Sequence, residues 1–230
     1  MSLKTIALAA AIAFMGGRAV ATDRAHPAVV ELFQSQGCSS CPPANANLMA
    51  LADRPDLLTL SFGVTYWDSL GWKDTFASPQ YTARQWDYAH ALHHTDVFTP
   101  QVVVNGSADG VGARHGEIEA LVARADRGPG GPQITTQAGK VFVGAAQAVR
   151  PAQVLLVRYD PNIVQVPVRR GENGGKTLPH RNVVKELISL GPWTGSARAY
   201  ALPSARVTGW KSAILIQEGP GGPIVAAARI

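Results

Sequence analysis

The chain has 230 residues, 46% of them hydrophobic, which is enough apolar sequence to bury one large core or two smaller ones. Its formal net charge of +5 at pH 7 comes from scattered basic residues, and no basic stripe interleaved with aromatic residues is present. Nucleic-acid binding is therefore not expected.

The first 21 residues have the pattern of a secretory signal peptide. Lys4 precedes an apolar stretch from Thr5 to Met15, and Ala19-Val20-Ala21 supplies the small residues of a signal-peptidase site. The apolar stretch is too short to span a bilayer comfortably, and no second run of spanning length follows it. We therefore expect cleavage before Thr22 and a mature protein, without a membrane span, that is periplasmic or secreted and meets an oxidising environment.

The patterns between residues 28 and 125 predict the element order β-α-β-α-β-β-α. An apolar strand from Ala28 to Phe33 leads to a helix that starts around Ser40 or Cys41, because Pro42 and Pro43 are tolerated only in a first turn. The later elements are a strand over 57–66, a helix from Pro79 to about Leu92, strands over 99–104 and 108–111, and a helix over 117–125.

Chain connectivity predicts the directions of these strands. Strands one and two are joined through a helix, which requires a parallel pair with a right-handed crossover. Asn105-Gly106 is a type I′ hairpin signal, so strands three and four are predicted to be antiparallel. A Cys-x-x-Cys at the start of the first helix of such a unit is typical of a thioredoxin-like redox domain.

Cys38 and Cys41 are the two cysteines of the chain. A pair at this spacing can cycle between dithiol and disulfide, hold half of a metal site, or form a fixed structural disulfide. A four-residue loop gains roughly 2 kcal/mol from chain entropy, against about 3 kcal/mol for fifteen residues, so this is a poor place for a structural bond. A helix N-terminus also stabilises a thiolate and lowers its pKa. These observations favour redox chemistry and leave the other two roles as alternatives.

A second, β-rich domain is predicted after the linker Arg-Gly-Pro-Gly-Gly-Pro at 127–132. Seven short β-branched runs separated by Gly, Pro and Asn indicate an antiparallel, sandwich-like arrangement, with one helix over about Asn182 to Leu190. The Gly-rich stretch 171–176 lacks the phosphate-loop pattern and is predicted to be a hairpin turn. The predicted domains are a thioredoxin-like domain at 22–127, a linker at 128–132 and a β-rich domain at 133–230.

Three histidines lie where the second helix is predicted to end, namely His90, His93 and His94. His90 and His94 share a helix face, and imidazole combined with soft thiolates suits copper or zinc. A metal-handling module that uses Cys38, Cys41 and His94 is therefore one alternative function, while surface histidines favoured by the helix dipole are the simpler interpretation. No cofactor is predicted for the main hypothesis.

The stretch from Glu31 to Ala44, Glu-Leu-Phe-x-Ser-Gln-Gly-Cys-Ser-Ser-Cys-Pro-Pro-Ala, resembles the signature of a bacterial secreted family catalogued as domain of unknown function 1223. Further similar stretches lie at 66–74, 76–79, 99–101, 175–184 and 217–219, so the resemblance covers nearly the whole mature chain. It implies a thioredoxin-like fold and no established reaction.

The broader resemblance to thioredoxins implies roles for four residues. Cys38 is similar in position to the exposed nucleophilic cysteine, and Cys41 to the resolving one. Pro100, after Thr99, is similar to the cis-proline that faces the disulfide, which implies that the backbone of Thr99 pairs with an extended substrate segment.

The sequence also departs from the thioredoxin pattern. Gly37 replaces the aromatic residue before the first cysteine, and no proline lies between the cysteines. Leu32 stands at the position of the buried acid, while Glu31 is one residue away and so on the opposite face of the strand. Glu31 and Asp68 are the candidate substitutes as proton acceptor for Cys41, with ordinary structural hydrogen bonds as the alternative role.

The predicted function is thiol–disulfide exchange, in which Cys38 attacks a partner disulfide and Cys41 resolves the mixed disulfide. The partners are protein or small-molecule thiols and disulfides. A partner-binding scaffold with a permanently closed disulfide is a further alternative to the metal module. The turn after the second parallel strand opens at the active-site edge of the sheet. The candidate substrate groove therefore comprises Gly37, Trp67, Asp68 and Trp72.

Overall fold

The computed structural model describes residues 23–148, 150–205 and 207–230. The signal peptide predicted for residues 1–21 lies outside the described residues. Within those ranges, no helix is long and apolar enough to cross a membrane.

The first half of the chain contains the seven predicted elements in the predicted order, together with a short 3-10 helix. These elements are β1 (Ala28–Gln34), α1 (Cys41–Ala50), β2 (Leu57–Gly63), the 3-10 helix (Asp68–Leu70), α2 (Pro79–Ala91), β3 (Gln101–Val104), β4 (Ala108–Gly110) and α3 (Glu117–Arg124). β1 is parallel to β2 and antiparallel to β3, and β3 is antiparallel to β4. Asn105 and Gly106 have φ angles of 48° and 63°, as the predicted type I′ turn requires.

Among the described residues of the second half, the regular elements are all strands. They are β5 (Ile134–Gln137), β6 (Lys140–Val143), β7 (Ala152–Asp160), β8 (Val164–Pro167), β9 (Thr177–His180), β10 (Val183–Trp193), β11 (Arg198–Ala201), β12 (Lys211–Glu218) and β13 (Ile224–Arg229). The predicted hairpin turn at 171–176 is confirmed, since β8 and β9 form an antiparallel pair around it.

The helix predicted over about Asn182 to Leu190 is wrong, because this segment is the long strand β10. Its Lys-Glu pair and leucines suit a helix, but Val183, Val184 and Ile188 are β-branched and fit a strand between two neighbours. β10 pairs with β7 along nearly its whole length, with bulges after Val184 and Ser189. Tertiary pairing therefore decides the conformation of a segment whose local pattern is ambiguous.

The fold is mixed α/β, with one eight-stranded mixed sheet in the order β13-β12-β7-β10-β2-β1-β3-β4. The two halves of the chain join where β10 runs parallel to β2, with Val183 opposite Ser61. Asn182 secures this join, because its carbonyl accepts from Ser61 N at 2.9 Å and its Nδ2 donates to Thr59 Oγ1 at 2.7 Å. The larger sheet of the β-rich half thus continues the sheet of the N-terminal half.

Both faces of the large sheet are covered. Helix α2 packs on one face across both halves, and α1 and α3 pack on the other face over β1 to β4. A three-stranded sheet, β11-β6-β5, covers the remaining part around the buried Trp193. The β8–β9 hairpin, residues 164–180, has a small core of its own that contacts the segment between β2 and α2. That core consists of Val166, Val168 and Leu178 against Trp72 and Phe76.

A buried ion pair lies on the α2 face of the sheet. Glu31 in β1 is fully buried and accepts two hydrogen bonds from the Arg84 guanidinium, at 2.8 and 3.1 Å. Tyr88 OH also donates to Glu31, and Gln217 Oε1 accepts from Arg84 Nη1 at 2.9 Å. Burial is the largest single effect on the pKa of Arg84 and lowers it, but the charge and hydrogen bonds of Glu31, with smaller contributions from Tyr88 and Asp87, together outweigh burial and hold that pKa above its ordinary value.

Candidate functional site

Cys38 and Cys41 form a disulfide at the start of α1, with their Cα atoms 5.4 Å apart. The helix begins at Cys41 and carries Pro42 and Pro43 in its first turn, as the sequence predicts. Upstream, Cys38 N donates to Ser35 O at 3.1 Å, which turns the chain sharply after β1. The local sequence therefore accounts for the position of both sulfurs.

The first turn of α1 presents few free amide donors to a thiolate. Pro42 and Pro43 have no N–H group, and Cys41 N donates to Cys38 O at 3.2 Å. A side chain supplies a donor instead, since Ser40 Oγ lies 3.3 Å from Cys38 Sγ. The Ser40 side chain makes no helix-capping hydrogen bond, and its single hydroxyl proton is shared between Cys38 Sγ and Thr99 O, which lies 3.4 Å from Oγ.

We expect Ser40→Ala to raise the pKa of the Cys38 thiol in the reduced protein by about one unit, because a hydrogen bond to an ionised group is worth about 1.5–3 kcal/mol. The pH dependence of Cys38 alkylation by iodoacetamide measures this change. Ser40→Thr keeps the hydroxyl and serves as the matched control. An alkylation profile that is the same in Ser40→Ala and the wild type contradicts the prediction.

Thr99 and Pro100 lie beside the disulfide. The Thr99–Pro100 peptide bond is cis, and Thr99 O is 3.9 Å from Cys38 Sγ. Trp67 Nε1 donates to Thr99 Oγ1 at 2.8 Å, which fixes the indole next to this loop. The structure thus brings together Cys38, Cys41, Thr99, Pro100 and Trp67 from three separate segments.

The other predicted groove residues hold the turn that precedes Cys38. Trp72 Nε1 donates to Gln36 Oε1 at 2.9 Å, and Gly37 is buried beside Trp67. Asp68 has a structural role, because its Oδ1 accepts from Asp74 N at 3.0 Å. The segment from Trp67 to Asp74 therefore braces the 36–38 turn.

Asp74 is a site residue that the sequence reasoning missed. Its carboxylate accepts from Gln36 N at 2.6 Å and from Phe76 N at 2.7 Å, so it ties the turn before Cys38 to the segment before α2. Burial raises the pKa of Asp74 despite these amide donors. Its position in a run of aromatic and turn residues gave no local signal for this role.

Both cysteines are closed off from solvent, which corrects the expectation of an exposed Cys38. Cys38 is 0% exposed and Cys41 is 1% exposed. The loop of the 164–180 hairpin bonds directly to the backbone around them. Asn173 Nδ2 donates to Gln36 O at 3.0 Å and to Cys38 O at 2.8 Å, and Glu172 Oε2 accepts from Ser39 N at 3.0 Å. These residues lie far from the cysteines in sequence, so a local motif could not reveal them.

We expect Asn173→Ala to speed reduction of the disulfide by dithiothreitol about tenfold. Two hydrogen bonds of about 0.5–1.5 kcal/mol each hold the hairpin loop over the 36–38 backbone, and their loss makes opening easier. Free-thiol release over time measures the rate. Gln165→Ala removes an exposed amide from the same hairpin and is the control. Equal rates in Asn173→Ala and the wild type would show that the loop does not limit access.

The metal site proposed as an alternative is not assembled. Among the described residues, no group of three or more His, Cys, Asp or Glu side chains lies close enough to hold a metal ion. His94 Nε2 instead pairs with Asp109 Oδ2 of β4 at 2.8 Å. The candidate set of Cys38, Cys41 and His94 is therefore corrected, because His94 bonds to the sheet edge and the cysteine sulfurs bond to each other.

Glu31 is equally unsuited to serve Cys41. It lies on the α2 face of β1 and is held by Arg84 and Tyr88, whereas α1 packs on the opposite face. A cavity of about 370 Å³ lies on the Cys41 side, between α1 and β9. Its wall is mainly apolar and includes His180, which the sequence reasoning did not single out.

The profile of the family described as a protein of unknown function, DUF1223, matches residues 29–217. This chain belongs to the DUF1223 family. The resemblance seen in the sequence is thereby confirmed, and the family itself names no reaction.

The DUF1223 chain is similar to two solved structures. The crystal structure of protein AGR_C_4864 from Agrobacterium tumefaciens is 30% identical with a TM-score of 0.72, covering 88% of this chain and 93% of that one. HBP35 of Porphyromonas gingivalis is 13% identical with a TM-score of 0.58, covering 89% of this chain and 74% of that one, and it shows a likeness of fold alone. Among curated proteins, no relative matches the sequence.

Proposed function

We propose that this DUF1223 protein carries out thiol–disulfide exchange through Cys38 and Cys41, in the periplasm or outside the cell. The observation that carries the proposal is the placement of the Cys38–Cys41 disulfide at the N-terminus of α1, with Thr99 O 3.9 Å from Cys38 Sγ. A Cys-x-x-Cys at the start of the first helix, after a strand of a β-α-β unit, is the arrangement of a thioredoxin-like domain.

In the reduced protein, the Cys38 thiolate attacks one sulfur of a partner disulfide and the second partner sulfur leaves as a thiolate. The Cys41 thiolate then attacks Cys38 Sγ, which breaks the mixed disulfide and releases the first partner sulfur. Two electrons pass to the partner, whose thiolates take protons from solvent. Ser40 Oγ, 3.3 Å from Cys38 Sγ, is placed to stabilise the attacking thiolate.

The partner reaches Cys38 only if the loop of the 164–180 hairpin moves away. Glu172 and Asn173 occupy backbone groups of residues 36–39 that would otherwise face a partner chain. Trp72 packs against the core of this hairpin, Gly37 lies beside Trp67, and the Thr99 carbonyl lies 3.9 Å from Cys38 Sγ. We assign this groove to an extended segment of a partner protein, because extended backbone can pair with the Thr99 backbone.

The burial of both sulfurs favours a second candidate function. A disulfide that is 0–1% exposed and bonded over by a hairpin suits a scaffold whose disulfide stays closed while its surface binds a partner. In that case the Cys38–Cys41 bond fixes the turn between β1 and α1 and takes no part in chemistry.

The reduction potential of the pair separates these two functions. The mature protein is equilibrated with glutathione buffers and its free thiols are trapped and counted. A potential between about −120 mV and about −270 mV supports exchange and sets its direction, oxidising at the upper end and reducing at the lower end. A pair that stays oxidised below about −300 mV is a structural bond, and the scaffold then replaces the exchange function.

A further inference from the structure

The cavity between α1 and β9 is the starting point for a further inference. Cys41 contributes to its wall, while Cys38 does not, so the cavity lies on the resolving side of the disulfide. Among the residues that line it, the titratable side chains are Cys41 and His180. At about 370 Å³ the cavity that both residues line has room for ordered water.

A network of hydrogen-bonded side chains indicates which nitrogen of the His180 ring carries the proton. Asn45 Nδ2 donates to the backbone carbonyl of Pro179 at 2.6 Å, so Asn45 Oδ1 must be an acceptor, and it takes a hydrogen bond from Gln34 Nε2 at 3.2 Å. Gln34 Nε2 also lies 2.7 Å from Ser61 Oγ and 3.2 Å from His180 Nδ1. Its two hydrogens are shared among three acceptors, and a proton on Nδ1 would point at this amide group, so the arrangement favours the neutral ring with Nδ1 unprotonated. The ring proton of His180 therefore sits on Nε2.

The Nε2–H group of His180 has no protein partner. His180 is 3% exposed, and its Nε2 is buried without a hydrogen bond among the described residues. Buried donors are rarely left unpaired, so an unpaired one in a cavity wall calls for a water or an anion that accepts from it. Among the residues that line the cavity, Cys41 is the one whose side chain can become a negatively charged hydrogen-bond acceptor, as a thiolate.

The ring is also neutral at ordinary pH. Burial, together with a smaller effect of the positive charge of Lys185, lowers the pKa of His180 to about 4. Lys185 Nζ lies 4.3 Å from the centre of the Phe76 ring, which in turn meets the His180 ring edge to face. His180 thus cannot hold an extra proton near neutrality, and it acts as a donor rather than as a base.

We propose that His180 is a positioning residue that stabilises the sulfur of Cys41, donating from Nε2 through the cavity when the disulfide opens. This inference rests on the proposed exchange function. When a thiolate attacks Cys38 Sγ, the S–S bond breaks and its electron pair leaves on Cys41 Sγ. The Nε2–H group of His180 then stabilises that negative charge by hydrogen bonding through the cavity. Neither Glu31 nor the first turn of α1, with its two prolines, supplies a donor there.

The test uses Cys38→Ser, in which Cys41 is the one thiol, and follows thiolate absorbance with pH. Adding His180→Phe removes the donor and is expected to raise the pKa of Cys41 by about one unit or more, because charged hydrogen bonds are the strong ones. His180→Gln restores a donor and is expected to return the pKa towards its starting value. His115→Phe, at an exposed position, is the control for loss of a histidine.

Two results overturn the proposal. One is a Cys41 pKa that is unchanged by His180→Phe, and the other is a raised pKa that His180→Gln does not lower. If His180→Phe fails to fold, nitrogen-15 NMR of the histidine ring in the wild type decides instead. A proton on Nε2 whose signal shifts on reduction supports the proposal, and a proton on Nδ1 or an unshifted signal overturns it. Because the titration needs no exchange partner, its outcome is separate from that of the reduction-potential measurement.

Discussion

Replacing Cys38 by serine is expected to abolish thiol–disulfide exchange completely, because the nucleophilic sulfur is lost and Cys41 is the sole remaining thiol of the chain. Cys41→Ser is expected to behave differently. Cys38 can still attack a partner disulfide, but no second thiol resolves the product, so a mixed disulfide on Cys38 accumulates. Reduction of insulin, with dithiothreitol as the electron source, measures the first effect, and mass spectrometry of the trapped adduct measures the second.

The serine pair also separates exchange from a structural disulfide. If the bond only staples the turn, both variants lower the stability equally and neither traps a partner. If Cys41 rather than Cys38 holds the partner, the assigned roles are reversed. Asn173→Ala combined with Cys41→Ser should trap partner faster than Cys41→Ser alone, because the hairpin loop no longer holds the backbone of residues 36–38.

Arg84→Met is expected to destabilise the protein by about 3–5 kcal/mol, since removing one partner of a buried ion pair leaves an uncompensated charge. Glu31 is fully buried, and Arg84 donates to both of its carboxylate oxygens. Urea unfolding of the oxidised protein, followed by circular dichroism, measures the loss. The reduction potential of the cysteine pair should stay unchanged, because Glu31 faces α2 and not α1.

The double variant Glu31→Leu with Arg84→Met is the control for this prediction. Replacing both members of a buried pair by apolar residues is often neutral, so the double variant should recover most of the stability that Arg84→Met loses. A single variant within about 1 kcal/mol of the wild type would show that solvent reaches Glu31 when Arg84 is absent.

The N-terminal half of the fold follows from local sequence signals. Pro42 and Pro43 mark the helix start, Ser78 caps α2 by accepting from Gln80 N, and Asn105-Gly106 sets the hairpin. Each of these signals acts within a few residues, so the sequence alone is enough to locate it. The placement of Thr99 and Pro100 beside the cysteines was predicted from the resemblance to thioredoxins, because residue spacing alone does not show which loops are neighbours in the fold.

The rest could not be predicted because it depends on contacts between distant segments. Asn173 bonds to the carbonyl of Cys38, which lies 135 residues earlier in the chain, and His180 contacts Gln34, which lies 146 residues earlier. Neither lies in a motif that distinguishes it from other polar residues of a β-rich segment. The helix predicted over 182–190 is wrong for the same reason, because the pairing of this segment with β7 and β2 outweighs its local sequence pattern.

The pairing of β2 with β10 affects how the protein folds while it is being synthesised. All seven residues of β2 are buried, yet the neighbouring segment begins with Asn182, 123 residues after its partner Thr59. While the chain is still emerging, β2 is an open edge whose unpaired N–H and C=O groups can recruit other strands. A fragment that ends at the 128–132 linker would keep that edge for good. The cysteine-bearing half therefore needs β10, from the last third of the chain, to complete its sheet.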